Sequence, residues 1–107
     1  METFTIRDLR ERTGALVRGA TSGKLSLVTR HGRPVFVAVP IDQTLVREGL
    51  AVTLALKLYA DHAVSLGKAA RIAGMPVSRF IGVLGAHGLE AVRYSPRELK
   101  DELAALD

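Results

Sequence analysis

Three histidines, eleven Asp and Glu, fifteen Lys and Arg and no cysteine are the side chains with which this 107-residue chain could do chemistry. His31, His62 and His87 stand far apart in sequence. No two have the i, i+4 spacing with which one helix face holds zinc. Asp61 and His62 precede Ser65, a nucleophile–base grouping in outline, yet no third group at workable spacing orients the histidine. Ser65 reads instead as a helix N-cap. His87 falls at a helix end, where the carbonyl dipole favours its cation. Neither a P-loop nor a G-x-G-x-x-G run occurs. The expectation is a protein that is not an enzyme, with no catalytic residue, no metal and no cofactor.

The arginines offer a different chemistry, that of anion binding. Arg7, Arg10, Arg12 and Arg18 fall within one expected helix, where Asp8 and Glu11 can pair with some of them as an ordinary solvated face. Arg30, His31 and Arg33 surround a turn, with Lys24 at the far end of the strand that leads into it. If helix and turn adjoin, their cations form one patch, and a two-fold symmetry mate doubles it. Phosphate neutralisation gains with each added charge. Arginine also reaches base edges and narrow minor grooves better than lysine does. Arg7, Arg10, Lys24, Arg30, His31 and Arg33 are therefore the expected DNA-contacting set, with Arg79 from a later helix.

These side chains need elements to carry them. Residues 25–39, LSLVTRHGRPVFVAV, read as two strands around a turn. Val, Ile, Thr and Phe suit a pleated surface, Gly32 supplies positive φ, and Pro34 sits where a strand edge tolerates a missing N–H. Both runs are so apolar that a helix or a second subunit must cover them, since a lone hairpin is marginal. Residues 2–6 suggest a first strand. Thr5 with Asp8 suggests the helix start, and that helix runs to about Arg18 with Leu9, Leu16, Val17 and Ala20 as its apolar stripe. Asp42 caps a helix running to about Ala60, in which Gly49 marks a kink or module boundary. Ser65 caps a helix over 66–73, Gly74-Met75-Pro76 turns the chain, and a second helix spans 77–87. Ala70 and Gly74 at this spacing are a helix-turn-helix signature. A short strand at 89–94 and a final helix over 96–106, opened by Ser95-Pro96-Arg97-Glu98, complete the reading.

The balance of charge adds a second partner. The chain carries a net charge of +4. Residues 1–50 and 51–89 are each basic, whereas 90–107 hold five acids against three cations. A basic body with an acidic tail suits two partners of opposite charge. Leu99, Leu103 and Leu106 with Glu102 have the form of a helix that lies in a partner's groove, or equally of one that packs on its own core. The charged N-terminus is unlike a signal peptide, and no run is long enough to span a bilayer, so a cytoplasmic location is expected.

Residues 1 to about 45 resemble the Phd/YefM family of bacterial antitoxins. The resemblance rests on a strand, a helix bearing R-D-L-R, a hairpin with L-V-T-R-H-G-R-P, and V-x-V-P-I-D opening the next helix. It implies a homodimer formed through the sheet, operator binding in which Arg10 and Arg30 match DNA-contacting arginines, and a C-terminal segment that occludes a toxin. Residues 54–103 resemble a different family of small prokaryotic antitoxin-like proteins, through S-L-G-K-A-A-R-I-A-G, F-x-x-x-L, H-G-L and Y-S-P-x-E-L. That likeness implies a toxin such as a PIN-domain ribonuclease.

The expected fold class is α+β. Residues 1–48 form a small three-stranded antiparallel sheet with helices, for dimerisation and DNA binding. Residues 49–107 form a helical module, helix-turn-helix-like over 65–88, with an acidic helix over 96–106. The expected function is that of a type II antitoxin and autorepressor whose toxin-binding residues are Leu99, Glu102, Leu103 and Leu106. The alternative is a transcriptional regulator without a toxin.

Overall fold

The computed structural model describes residues 1–91. The expected helix over 96–106 lies outside the described residues, as does half of the strand expected at 89–94; its described part, 89–91, forms no strand. The chain divides after Gly49 into two compact units.

The first unit runs β1 (Glu2–Thr5), α1 (Ile6–Glu11), α2 (Thr13–Thr21), β2 (Ser26–Arg30), β3 (Arg33–Ala38) and α3 (Gln43–Glu48). Its three strands lie in the order β1-β2-β3. The sheet is mixed, which corrects the expected antiparallel one. β1 and β2 are parallel, from Glu2 opposite Ser26 to Thr5 opposite Thr29, and only β2 and β3 are antiparallel. The connection explains the difference. α1 and α2 form a crossover long enough to carry the chain back to the end of the sheet where β1 began.

Two expected helices are broken, the second at the glycine read as a kink or module boundary. The first breaks at Arg12, whose φ of −122° and ψ of 33° leave the helical region. Next to it the Thr13 hydroxyl donates to the Leu9 carbonyl, the acceptor that the Thr13 N–H would use in an unbroken helix. The second breaks at Gly49, whose φ of 85° and ψ of 172° are open to glycine alone. Asp42 caps α3 as its spacing implied, accepting from the Leu45 N–H at 3.0 Å.

The interior of this unit is small. Phe4, Leu25 and Val28 are fully buried and Ser26 nearly so, whereas α1, α2 and α3 bury no residue completely. β2 is covered as its composition requires. β3 is not: Val35, Phe36 and Val37 are 54%, 46% and 37% exposed. One extra residue, Val35, separates Pro34 (opposite Thr29) from Phe36 (opposite Val28), so β3 carries a bulge on a sheet edge, where proline is tolerated.

The second unit contains α4 (Leu50–Ala60), α5 (Leu66–Ala73) and α6 (Val77–Ala86). Its core is conventional. Ala55, Leu56 and Tyr59 from α4, Leu66, Ala69 and Ala70 from α5, and Val77, Phe80 and Leu84 from α6 form one buried cluster. The rings of Tyr59 and Phe80 meet edge to face at 6.4 Å, a favoured aromatic geometry. Ser65 caps α5, its hydroxyl accepting from the Lys68 N–H at 3.1 Å.

All three helices end in the same way. The Met75 N–H donates to the Ala70 carbonyl and the Gly74 N–H to the Arg71 carbonyl, with Gly74 in the left-handed region at φ 74°. His62 with Ala63 closes α4 and Gly88 with Leu89 closes α6 by the same pair of bonds. His62, at φ 60°, does so with a side chain that disfavours the conformation. Chemical denaturation is therefore expected to show Gly74→Ala destabilising by about 1–2 kcal/mol, and His62→Gly stabilising by up to about 1 kcal/mol.

Candidate nucleic-acid interface

At Thr5 the backbone leaves the sheet and becomes α1. The Thr5 hydroxyl accepts from the Asp8 N–H at 3.0 Å, and the Asp8 carboxylate accepts from the Thr5 N–H at 2.9 Å. This reciprocal cap fixes the position at which the helix begins. The parallel register then fixes its surroundings, for Thr5 stands opposite Thr29, one residue before Arg30. Arg30 pairs across the sheet with Arg33. Between them His31 and Gly32, at φ 51° and 76°, form the two-residue turn in which both residues need positive φ. The start of α1 and the hairpin turn therefore share one end of the sheet. An antiparallel β1 would have sent α1 to the other end.

The charges of α1 and the hairpin are unevenly neutralised. Arg7 pairs with Glu11 at 3.3 Å, but its side chain is 84% exposed, and such pairs hold little energy, about 0–1 kcal/mol. Arg12 is committed to structure: it binds Glu2 at 2.7 Å, approaches Asp8 at 3.7 Å, and lies over the Phe4 ring at 4.9 Å. No carboxylate among the described residues lies within ion-pair distance of Arg10, Arg30 or Arg33. Arg30 and Arg33 directly oppose each other, a like-charge arrangement that costs stability until an anion relieves it.

Not every expected contact belongs here. Lys24 precedes Arg30 by six residues along an extended chain, roughly 20 Å, and stands at the opposite end of the sheet. Arg79 is exposed on α6 in the second unit. Leu99, Glu102, Leu103 and Leu106 lie outside the described residues. Two cations that the expected set omitted, Lys68 and Arg71, are exposed on α5. The signal that could have found them is the absence of any Asp or Glu from 62 to 89. Among the described residues no three His, Asp or Glu are grouped to hold a metal ion, and no helix is long and apolar enough to cross a membrane.

An α+β unit with a basic hairpin end, followed by a three-helix unit with a helix-turn-helix arrangement, is the class of protein that these features define. The chain belongs to the UPF0175 family, described as an uncharacterised protein family, whose model matches residues 35–107. That match begins within β3 and leaves residues 1–34 outside it. A UPF0175 protein of Aeropyrum pernix is 41% identical over 54 residues, 50% of this chain and 60% of the relative. The aligned segment thus spans less than two thirds of that relative's length. No solved structure matches.

The cap at Thr5 has a consequence for acid stability. The Thr5 N–H above all holds the Asp8 carboxyl below its ordinary value of 3.8; desolvation, next in size, opposes it, and the Thr5 hydroxyl, Arg12 and Arg7 add to the lowering. A group whose pKa is lowered by folding contributes stability that is present above the ordinary value. That contribution is lost as pH falls through the lowered one. Thermal melts at graded pH are expected to show Asp8→Asn less stable than the parent near neutrality, with the difference shrinking below about pH 4.

Proposed function

We propose that this protein is the antitoxin of a type II toxin–antitoxin pair and represses its own operon. In this reading the hairpin end of the N-terminal unit, with Arg30 and Arg33 facing each other and Arg7 and Arg10 on the helix that starts beside them, contacts operator phosphates and a groove. The observation that carries it is the cross-strand pair Arg30 and Arg33 at the hairpin end of a mixed sheet, neither with a carboxylate partner among the described residues, beside the start of α1. The N-terminal resemblance to Phd/YefM antitoxins supports the same assignment.

A homodimer completes the reading. Three fully buried apolar side chains make a thin interior for a unit of this size, and small domains of this kind are marginal alone. The edge strand β3 meanwhile exposes Val35, Phe36 and Val37. Pairing two copies through that strand buries them and repeats the basic end about a two-fold axis. The toxin is bound by the acidic residues after 90, with Leu99, Glu102, Leu103 and Leu106 lying in its groove, and a basic nuclease cleft is the complementary surface. A regulator without a toxin is the second reading, favoured by the excess of Lys and Arg over Asp and Glu in both described units.

One set of variants tests these readings. Titration of the DNA upstream of the reading frame at several salt concentrations is expected to show Arg10→Ala with Arg30→Ala binding more weakly. The slope of log K against log salt should fall by about 2 for one protomer on DNA and about 4 for a two-fold pair. Unchanged affinity and slope would refute the interface. A chain ending at residue 95 should keep DNA binding and lose protection of cells against the co-expressed neighbouring toxin. Loss of fold stability instead would favour the regulator.

A further inference from the structure

Between Asp61 and Glu90 the sequence contains no carboxylate side chain, yet it contains Lys68, Arg71 and Arg79, all exposed. This stretch is α5, its turn and α6. The buried cluster consumes Leu66, Ala69 and Ala70 of α5 and Val77, Phe80 and Leu84 of α6. What remains on α6 is a narrow exposed face of Ser78, Arg79, Gly82, Gly85 and Ala86. A Cβ built at Gly82 or Gly85 meets nothing within 4 Å, so the described residues leave this face open. Gly74 in the left-handed region and the three-residue turn 74–76 join the two helices in the way DNA-binding helix-turn-helix units do.

We propose that α5 and α6 form a second DNA-binding surface, with α6 lying in the major groove of a duplex. Lys68, Arg71 and Arg79 neutralise phosphates on either side of it. The poverty of α6 in long polar side chains defines the kind of contact. Ser78 and Arg79 are its polar groups, and the two glycines let its backbone approach the groove closely. Such a surface positions the protein on DNA and senses groove shape, and it discriminates little between bases. The choice between DNA and a second copy of this helix pair follows from charge. Two copies face to face would bring six cations together with no acid from this stretch to offset them, whereas a duplex supplies the counter-charge. The surface belongs to a different unit from the N-terminal arginines and does not depend on their role.

The test uses the full chain and a mixed-sequence duplex of about 30 base pairs, read by fluorescence anisotropy across a salt series. Gly82→Glu places a carboxylate on the open face at a helical position where glycine is the poorer helix former. Its melting temperature should not fall. Ala51→Glu, exposed on α4, is the charge-matched control. The expected result is at least a tenfold loss of affinity for Gly82→Glu and less than a threefold loss for Ala51→Glu. Lys68→Ala with Arg71→Ala should lower the salt slope by about 2. Arg30→Ala with Arg33→Ala should leave the Gly82→Glu effect intact, so a failure of either surface is seen separately. Equal effects of the two glutamates would overturn the proposal, as would intact duplex binding by Gly82→Glu. A fall in solution mass on Gly82→Glu with DNA binding retained would assign the face to self-assembly instead and also overturn it.

Discussion

The parallel pairing of β1 with β2, ended by the reciprocal cap between Thr5 and Asp8, is the constraint on which the N-terminal unit depends. Strand direction decides the end of the sheet at which α1 begins, and the cap decides the residue. Together they bring the start of α1 beside Thr29 and Arg30 and make the basic end of the sheet a consequence of backbone geometry. The Arg30–Arg33 pair then follows from the two-residue turn, because a hairpin of that length must place its flanking residues opposite each other. Asp8 serves this arrangement twice, capping the helix and helping to hold Arg12 over Phe4.

The two units solve the problem of small size differently. The C-terminal unit buries a contiguous aliphatic and aromatic cluster from three helices and closes each helix with the same hydrogen-bonded motif. Its described exposed residues from 62 to 89 include cations and no acid. The N-terminal unit buries little and leaves apolar side chains on β3 and also Ile41 and Val46, at 87% and 81% exposure, in contact with solvent. Such a surface is the ordinary mark of an unfilled interface. In the proposed function the basic end gains from symmetry, since two copies would double the phosphates met per binding event.

Much of this was legible from residue types. The capping residues Thr5, Asp42 and Ser65 and the turn glycines 32 and 74 follow from local rules that the structure obeys. Strand direction was not legible. ETFTI and LSLVT have the same propensities whichever way they run, and only the length of the intervening crossover favours parallel pairing. The break at Arg12 was hidden because Thr13 looks like any polar helix residue until its hydroxyl takes the Leu9 carbonyl. Lys68 and Arg71 were also missed, because what sets them apart is the lack of acids around them in the sequence.

The most direct measurement of the account is a two-dimensional amide NMR titration of the labelled chain with a short duplex. The account predicts that the shifted amides cluster at Thr5 to Arg10, Thr29 to Arg33 and along the exposed faces of α5 and α6. Ser22 to Leu25, at the opposite end of the first sheet, should stay in place. Shifts centred on Ser22 to Leu25, or no shifts at stoichiometric duplex in low salt, would contradict it.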